Sequence, residues 1–196
     1  MTHFVERNSI DTIEAGGADE TAQFLLKVWQ DSDGVMPPSS ALMAVSPHLV
    51  IFDDICAPGD SPEILFFGSE TLFSSQFPEA EVIVEGNAKN LLQEEYRNLV
   101  CDGYQDALYG EPVFETVGTG SLLGPGKPEI MYERVILKFK KRIGSYLVSY
   151  TIKRSMKWLS ETEGRQDRYI DFQQTPGHHL LSPAEYSNVS HQCAQP

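Results

Sequence analysis

The most informative stretch of the chain is YERVILKFKKRIGSYLVSYTIKRS, residues 132–155. Apolar and polar side chains alternate along both of its halves, which is typical of strands with two different faces. Between the halves, KKRIGS supplies a basic turn in which Gly144 can adopt a positive φ. The stretch therefore predicts a β-hairpin with lysines mostly on its solvent face and at its tip.

One face of this hairpin is expected to point inward. Successive residues of a strand point to opposite sides, so the alternation divides the hairpin into two sets. We expect Lys138 and Lys140 to lie on the outer face with Ile136. The inner set then comprises Val135, Leu137, Phe139, Tyr146, Val148, Tyr150 and Ile152.

The residues before the hairpin predict helices and further strands. Residues 1–18 are polar and end in two glycines, so we expect a flexible or loosely docked leader. Asp19 is a suitable N-cap for a helix over 20–31. That helix carries apolar residues at helical spacing, namely Ala22, Leu25, Leu26 and Trp29.

Between this helix and the hairpin, the pattern predicts two strands, a long helix and a third strand. The two strands cover 48–55 and 63–68 and form a hairpin of their own, and short helical turns follow them. The long helix is expected over 87–110 and the third strand over 112–121.

These elements predict an α+β fold with a five-stranded antiparallel sheet. One long helix and short helices would pack on one face, with an N-terminal helix and a C-terminal tail added. The domain would span residues 19–155. Residues 156–196 would form a C-terminal extension, with a short helix near 156–163.

Composition and charge exclude several classes of protein. The net charge is −13, and residues 1–126 carry 4 basic and 21 acidic side chains, a net charge of −17. Such a surface repels nucleic acid. No apolar run is long enough to span a membrane, and three cysteines without CxxC spacing favour neither a disulfide framework nor a zinc site. We therefore expect a cytoplasmic protein that binds neither nucleic acid nor membrane.

Several segments resemble a PAS domain, and more narrowly the bacterial single-domain PAS-like proteins. They are MPPSSALMAVSPHLVIFDDI, ILFFGSETLFSSQF, EYRNLVCDGYQDALYGEPVF and YERVILKF. Gly68-Ser69-Glu70 matches the turn after the second strand, and Gly110-Glu111-Pro112 matches the end of the long helix. Where the family often has Leu-Pro-Leu in a later strand, this chain has Leu137-Lys138-Phe139. The resemblance implies a sensory or interaction module in signal transduction, often dimeric and often holding a small ligand.

The resemblance does not extend to haem or flavin. Haem-binding PAS domains place a histidine on or near the long helix, and residues 87–110 contain none. Light-sensing relatives carry a cysteine on the short helix before the long one, where this chain has SETLFSSQFPEAEV. We therefore predict no cofactor and no metal. An enzyme is also not expected, because no nucleophile elbow or phosphate-binding loop is present.

A ligand, a dimer and a signalling partner protein are the remaining functional expectations. Leu25 and Trp29 are predicted as anchors of a homodimer interface or of packing against the sheet. A small apolar or carboxylated ligand would occupy an aromatic cavity. Two alternatives are a cone-shaped α+β carrier or enzyme of the steroid- or polyketide-binding type, and a ligand-free dimerisation scaffold. The residues predicted to line the cavity are Phe52, Phe66, Phe73, Phe77, Tyr96, Tyr104, Phe139 and Tyr150.

Overall fold

The computed structural model describes residues 2–78, 88–158 and 169–171. The strands are β1 (Phe4–Asn8), β2 (Leu49–Asp53), β3 (Ile64–Phe67), β4 (Val113–Gly118), β5 (Glu129–Lys140), β6 (Ser145–Lys157) and β7 (Tyr169–Asp171). The α-helices are α1 (Asp11–Glu14), α2 (Glu20–Asp31), α3 (Ser39–Leu42), α4 (Leu72–Gln76) and α5 (Glu94–Leu108), with 3₁₀ turns at Ser46–His48 and Ala88–Leu91.

The strands form one antiparallel sheet in the order β1-β4-β5-β6-β2-β3, with β7 also paired to β6. The predicted α+β class and the joining of the two hairpins in one sheet are confirmed. The long hairpin β5–β6 forms the centre, with Arg134 directly opposite Thr151 and Ile136 opposite Ser149. The sheet is wider than the five strands expected from sequence, because β1 and β7 extend it.

Helix α2 begins and ends where the sequence predicts. The Asp19 carboxylate accepts a hydrogen bond from the Ala22 N–H at 2.9 Å and caps the helix. Leu25, 1% exposed, packs on the sheet, and the Trp29 indole N–H donates to the Lys138 carbonyl at 2.8 Å. The two residues predicted as interface or packing anchors therefore pack within the domain. Leu25 is buried in the core, whereas Trp29 is partly exposed.

Helix α5 covers the opposite face of the sheet from α2. It begins at Glu94, later than the predicted residue 87, and buries Val100, Tyr104 and Ala107. Near its end the Leu108 carbonyl accepts a hydrogen bond from the Lys138 ammonium group. The long helix and α4 share one face as predicted, but α2 covers the other, so both faces of β5 and β6 are covered. The hairpin has no outer solvent face there: Lys138 is partly buried, and Lys140 near the tip is exposed.

The predicted leader, residues 1–18, instead contributes a strand to the sheet. Strand β1 pairs with β4 over Phe4–Asn8, and Ile13 in α1 is fully buried. The Phe4 ring lies against Gly118, where a Cβ atom would come within 2.4 Å of it. The outer edge of β4 offers unpaired backbone groups that a polar segment can satisfy as well as an apolar one. Composition therefore does not reveal this strand.

The predicted C-terminal extension begins with strand rather than helix. Strand β6 continues to Lys157, past the predicted domain end at residue 155 and into the range expected to be a short helix. Apart from β7, the rest of that extension after Trp158 lies outside the described residues. Among the helices that the structure describes, none combines the length and apolar character needed to cross a bilayer.

Candidate functional site

A cavity of about 70 Å³ lies between the sheet and helices α4 and α5. One water molecule needs roughly 10–15 Å³ measured in the same way, so the space accommodates several waters or a ligand of a few heavy atoms. Its walls come from β2, β3, β5 and β6, from α4 and α5, and from the loop between β4 and β5.

The cavity exists because β6 carries small residues at its centre. Ser149 and Thr151 line the cavity, whereas the preceding residue on the same face, Leu147, is a large and fully buried one. Opposite them on β5 lie Ile136 and Arg134. Two short hydroxyl side chains leave space above the sheet that larger apolar side chains would fill.

Aromatic and aliphatic side chains form the apolar part of the wall. The Phe52 and Tyr104 rings lie 4.8 Å apart, and Phe73 and Phe77 lie 5.2 Å apart, both in tilted arrangements. Such pairs are favourable contacts between rings and hold their positions. Leu72 of α4 completes this side of the cavity.

Three tyrosines supply hydroxyl groups. The Tyr96 and Tyr132 hydroxyls are 2.5 Å apart and share a hydrogen bond, and Tyr104 lies on the same helix as Tyr96. Burial raises the pKa of Tyr96, of Tyr104 and of Tyr132 above the ordinary tyrosine value. At neutral pH all three are therefore uncharged and can donate hydrogen bonds.

A buried ion pair lies beside the tyrosines. The Arg134 Nε donates to the Glu115 carboxylate at 2.5 Å, and its Nη2 donates to the Val100 carbonyl at 2.7 Å. Arg134 is 2% exposed and Glu115 is 0% exposed. The guanidinium also stacks on the Tyr104 ring at 4.4 Å. Arg7 adds a second cation, with its Nη1 3.3 Å from the other Glu115 oxygen.

Arg134 stays protonated although it is buried. Burial lowers the pKa, but interactions with Tyr104 and with the Glu115 carboxylate outweigh that effect and raise the pKa above its ordinary value. Gly103 allows α5 to approach the pair, because a Cβ atom there would lie 2.8 Å from both Glu115 oxygens. The glycine in the predicted helix thus has a packing role at the ion pair.

Five of the eight residues predicted for the cavity line it, and three do not. Phe66 lies on the edge strand β3 and is 43% exposed. Phe139 and Tyr150 lie on the α2 face, where the Tyr150 hydroxyl donates to Asp19 at 2.5 Å. The alternation had been assigned the wrong way round: the set of hairpin residues that contains these two faces α2, and the other set faces the cavity. The five that line the cavity are Phe52, Phe73, Phe77, Tyr96 and Tyr104.

Apart from Tyr96 and Tyr104, the polar residues of the site were not identified from sequence. The cavity face of β5 and β6 carries four polar residues at every second position, namely Tyr132, Arg134, Ser149 and Thr151. Glu115 lies within the otherwise mostly apolar strand VFETVG. Charged residues of opposite sign within two neighbouring strands are a signal for a buried pair. That signal was present in the sequence.

No group of three His, Cys, Asp or Glu side chains within the described part of the chain is arranged to hold a metal ion. Comparisons with protein-family models, with curated proteins and with solved structures find no match to this chain.

Proposed function

We propose that the chain is a PAS-type sensory or interaction domain that binds a small ligand in cytoplasmic signal transduction. The observation that carries the proposal is the cavity itself, whose walls combine apolar side chains with buried polar groups. Strands β2–β6 form a continuous five-stranded antiparallel segment with short helices and α5 over one face. This arrangement supports the PAS-like fold that the sequence resembles.

The polar lining favours a ligand over simple core packing. A domain core of ordinary stability is filled with aliphatic and aromatic side chains at high density. Here an arginine, three phenols, four short hydroxyl side chains and a glutamine line one space instead. Buried polar groups of this kind are costly to assemble, and a ligand that bonds to them offsets that cost.

A partner protein or a second copy of the chain would receive the signal. Strand β3 is at the end of the sheet, and Leu65 and Phe66 on it are exposed. An open strand edge with apolar side chains is a common site of association. This surface replaces Leu25 and Trp29 as the proposed contact.

Native mass spectrometry of the purified full chain, paired with one cavity-filling variant, tests the proposal. We expect wild-type protein to retain a small molecule or to take one up from a panel of small metabolites. Ser149→Leu should lose that binding because the new side chain occupies the cavity. Thr151→Val, which removes a hydroxyl at nearly constant volume, should keep the cavity open.

Two outcomes would count against the proposal. If wild type holds no ligand and none of the panel raises its thermal stability, the ligand-free scaffold is the better account. If Ser149→Leu binds as well as wild type, the ligand lies elsewhere. Measuring the dimer fraction in the same spectra tests the proposed association.

A further inference from the structure

We propose that the ligand of this cavity is a short-chain carboxylate, with its headgroup held by the Tyr96–Tyr132 pair and Arg134. The inference rests on the proposed function and names the chemical class of the ligand. It depends on three features of the site: the hydrogen atoms of the phenols, the position of the charges, and the size and apolar lining of the cavity.

The tyrosine pair has one hydrogen more than its mutual bond uses. Each phenol carries one O–H, and a hydrogen bond between two hydroxyls places one hydrogen between the oxygens. Tyr96 and Tyr132 lie 2.5 Å apart through that single hydrogen. The second hydrogen therefore points elsewhere, and both residues line the cavity. An acceptor oxygen on a ligand satisfies it.

The charges favour an anionic acceptor. Arg134 lines the cavity, whereas its partner Glu115 does not, so an occupant meets the guanidinium first. The Glu115 carboxylate also has Arg7 at 3.3 Å, and Arg7 in turn pairs with Asp106, so these four side chains carry no net charge together. The cavity side of the cluster is therefore the positive side.

The size and lining of the cavity limit the part of the ligand beyond its carboxylate group. A space of about 70 Å³ excludes long acyl chains and nucleotides. Leu72, Phe73 and Phe77 supply an apolar surface in the same cavity. A carboxylate with a short alkyl or aryl tail matches both parts of the wall, with its tail on the α4 side.

Calorimetric titration with sodium butyrate and with butyramide tests the inference. The two probes have the same number of heavy atoms and differ in charge. We expect butyrate to bind at least tenfold more tightly, with sodium chloride at equal ionic strength producing no heat of binding. The double variant Y96F/Y132F should weaken butyrate about tenfold and butyramide less, because it removes the pair's remaining hydrogen, and a hydrogen bond to an anion is stronger than one to a neutral amide.

Tyr109→Phe is the matched control, since this tyrosine is 87% exposed and lies outside the cavity. It should bind butyrate like wild type. If Y96F/Y132F does not fold by circular dichroism, the ratio of butyrate to butyramide affinity in wild type decides the assignment.

The outcomes separate this inference from the proposed function. Equal affinity for butyrate and butyramide, or tighter binding of butyramide, overturns the carboxylate assignment while ligand binding in the cavity stands. If neither probe binds and benzene also fails to raise the melting temperature, the proposed function fails together with the inference.

Discussion

The two faces of the central strands β5 and β6 are built on different principles. On the α2 face, the core residues are apolar, including Leu25, Leu137 and Phe139, and they pack against one another. On the α5 face, apolar residues share the space with Arg134 and a buried carboxylate beneath a cavity. The same two strands contribute alternate residues to both faces.

This difference suggests that the α2 face mainly stabilises the fold, whereas the α5 face provides the groups that would recognise a ligand. Burial of apolar side chains on the α2 face contributes stability in rough proportion to the area removed from water. The α5 face carries buried charges, whose desolvation offsets much of their attraction. We therefore expect substitutions on the α2 face to change apolar burial, and substitutions on the α5 face to change the electrostatics of buried charges. The following experiments test that expectation.

The largest effect is expected from breaking the buried ion pair. Arg134→Met leaves Glu115 buried at 0% exposure without its main partner. The free energy of unfolding, measured by urea denaturation, should fall by about 3–5 kcal/mol. The double variant E115L/R134M should recover most of the loss, because no buried charge remains. A loss below about 1 kcal/mol in the single variant would mean that solvent reaches the pair.

A cavity made on the α2 face should come next in size. Leu25→Ala removes a side chain that is 1% exposed and should lower the free energy of unfolding by about 3 kcal/mol. Its effect should be independent of ligand, whereas that of Ser149→Leu appears in ligand affinity. If Leu25→Ala instead changes affinity as strongly as stability, the two faces do not act separately.

Alkaline pH should destabilise the α5 face through its phenols. The pKa of Tyr96, of Tyr104 and of Tyr132 is raised, mainly by burial, so these groups keep their protons above pH 10 in the folded chain and lose them in the unfolded chain. The folded state then binds more protons, and stability falls as pH rises from 10 toward the raised pKa values. Each tyrosine contributes about 1.4 kcal/mol per pH unit in that range.

Urea denaturation between pH 9 and pH 11.5 measures this slope. Tyr104→Phe should reduce the slope by about 1.4 kcal/mol per pH unit, which corresponds to one proton. Tyr150, on the α2 face, also has a pKa raised by burial and by its bond to Asp19, so Tyr150→Phe should have a similar effect. An unchanged slope in Tyr104→Phe would place that phenol in contact with water.

The smallest effect is expected at the start of α2. Asp19→Ala removes the cap on the Ala22 N–H and should cost about 1 kcal/mol in the free energy of unfolding. Tyr150→Phe removes the other bond of the same carboxylate and separates the two contributions at neutral pH. If Tyr150→Phe alone reproduces the full loss, the cap contributes nothing measurable.

Local patterns predicted α2 and the hairpin of residues 132–155 well because local chemistry determines them. The bounds of α2 follow from Asp19 as cap and from apolar residues at helical spacing, and both are found. The alternation in 132–155 likewise predicted which residues of the hairpin share a face. In physical terms, capping and periodicity depend on neighbours within a few residues along the chain.

The choice of the cavity face could not be made from the same alternation. It depends on which helix covers which side, and Phe139 and Tyr150 look as suitable for a cavity as Tyr132 does. The distinguishing feature was the small pair Ser149 and Thr151 together with Arg134, which makes one side emptier and more polar. The docking of β1 on β4 depends on a distant strand edge and left no trace in composition.

Lys138 joins the two faces that are otherwise built so differently. Its carbonyl receives the Trp29 indole N–H from α2, and its ammonium group reaches the Leu108 carbonyl at the end of α5. One residue of β5 thus makes hydrogen bonds to helices on both sides of the sheet. A displacement of the last turn of α5 would shift Lys138, and through it the hydrogen bond that holds Trp29 of α2. A change at the cavity side of the sheet would in this way reach the opposite side through a single residue.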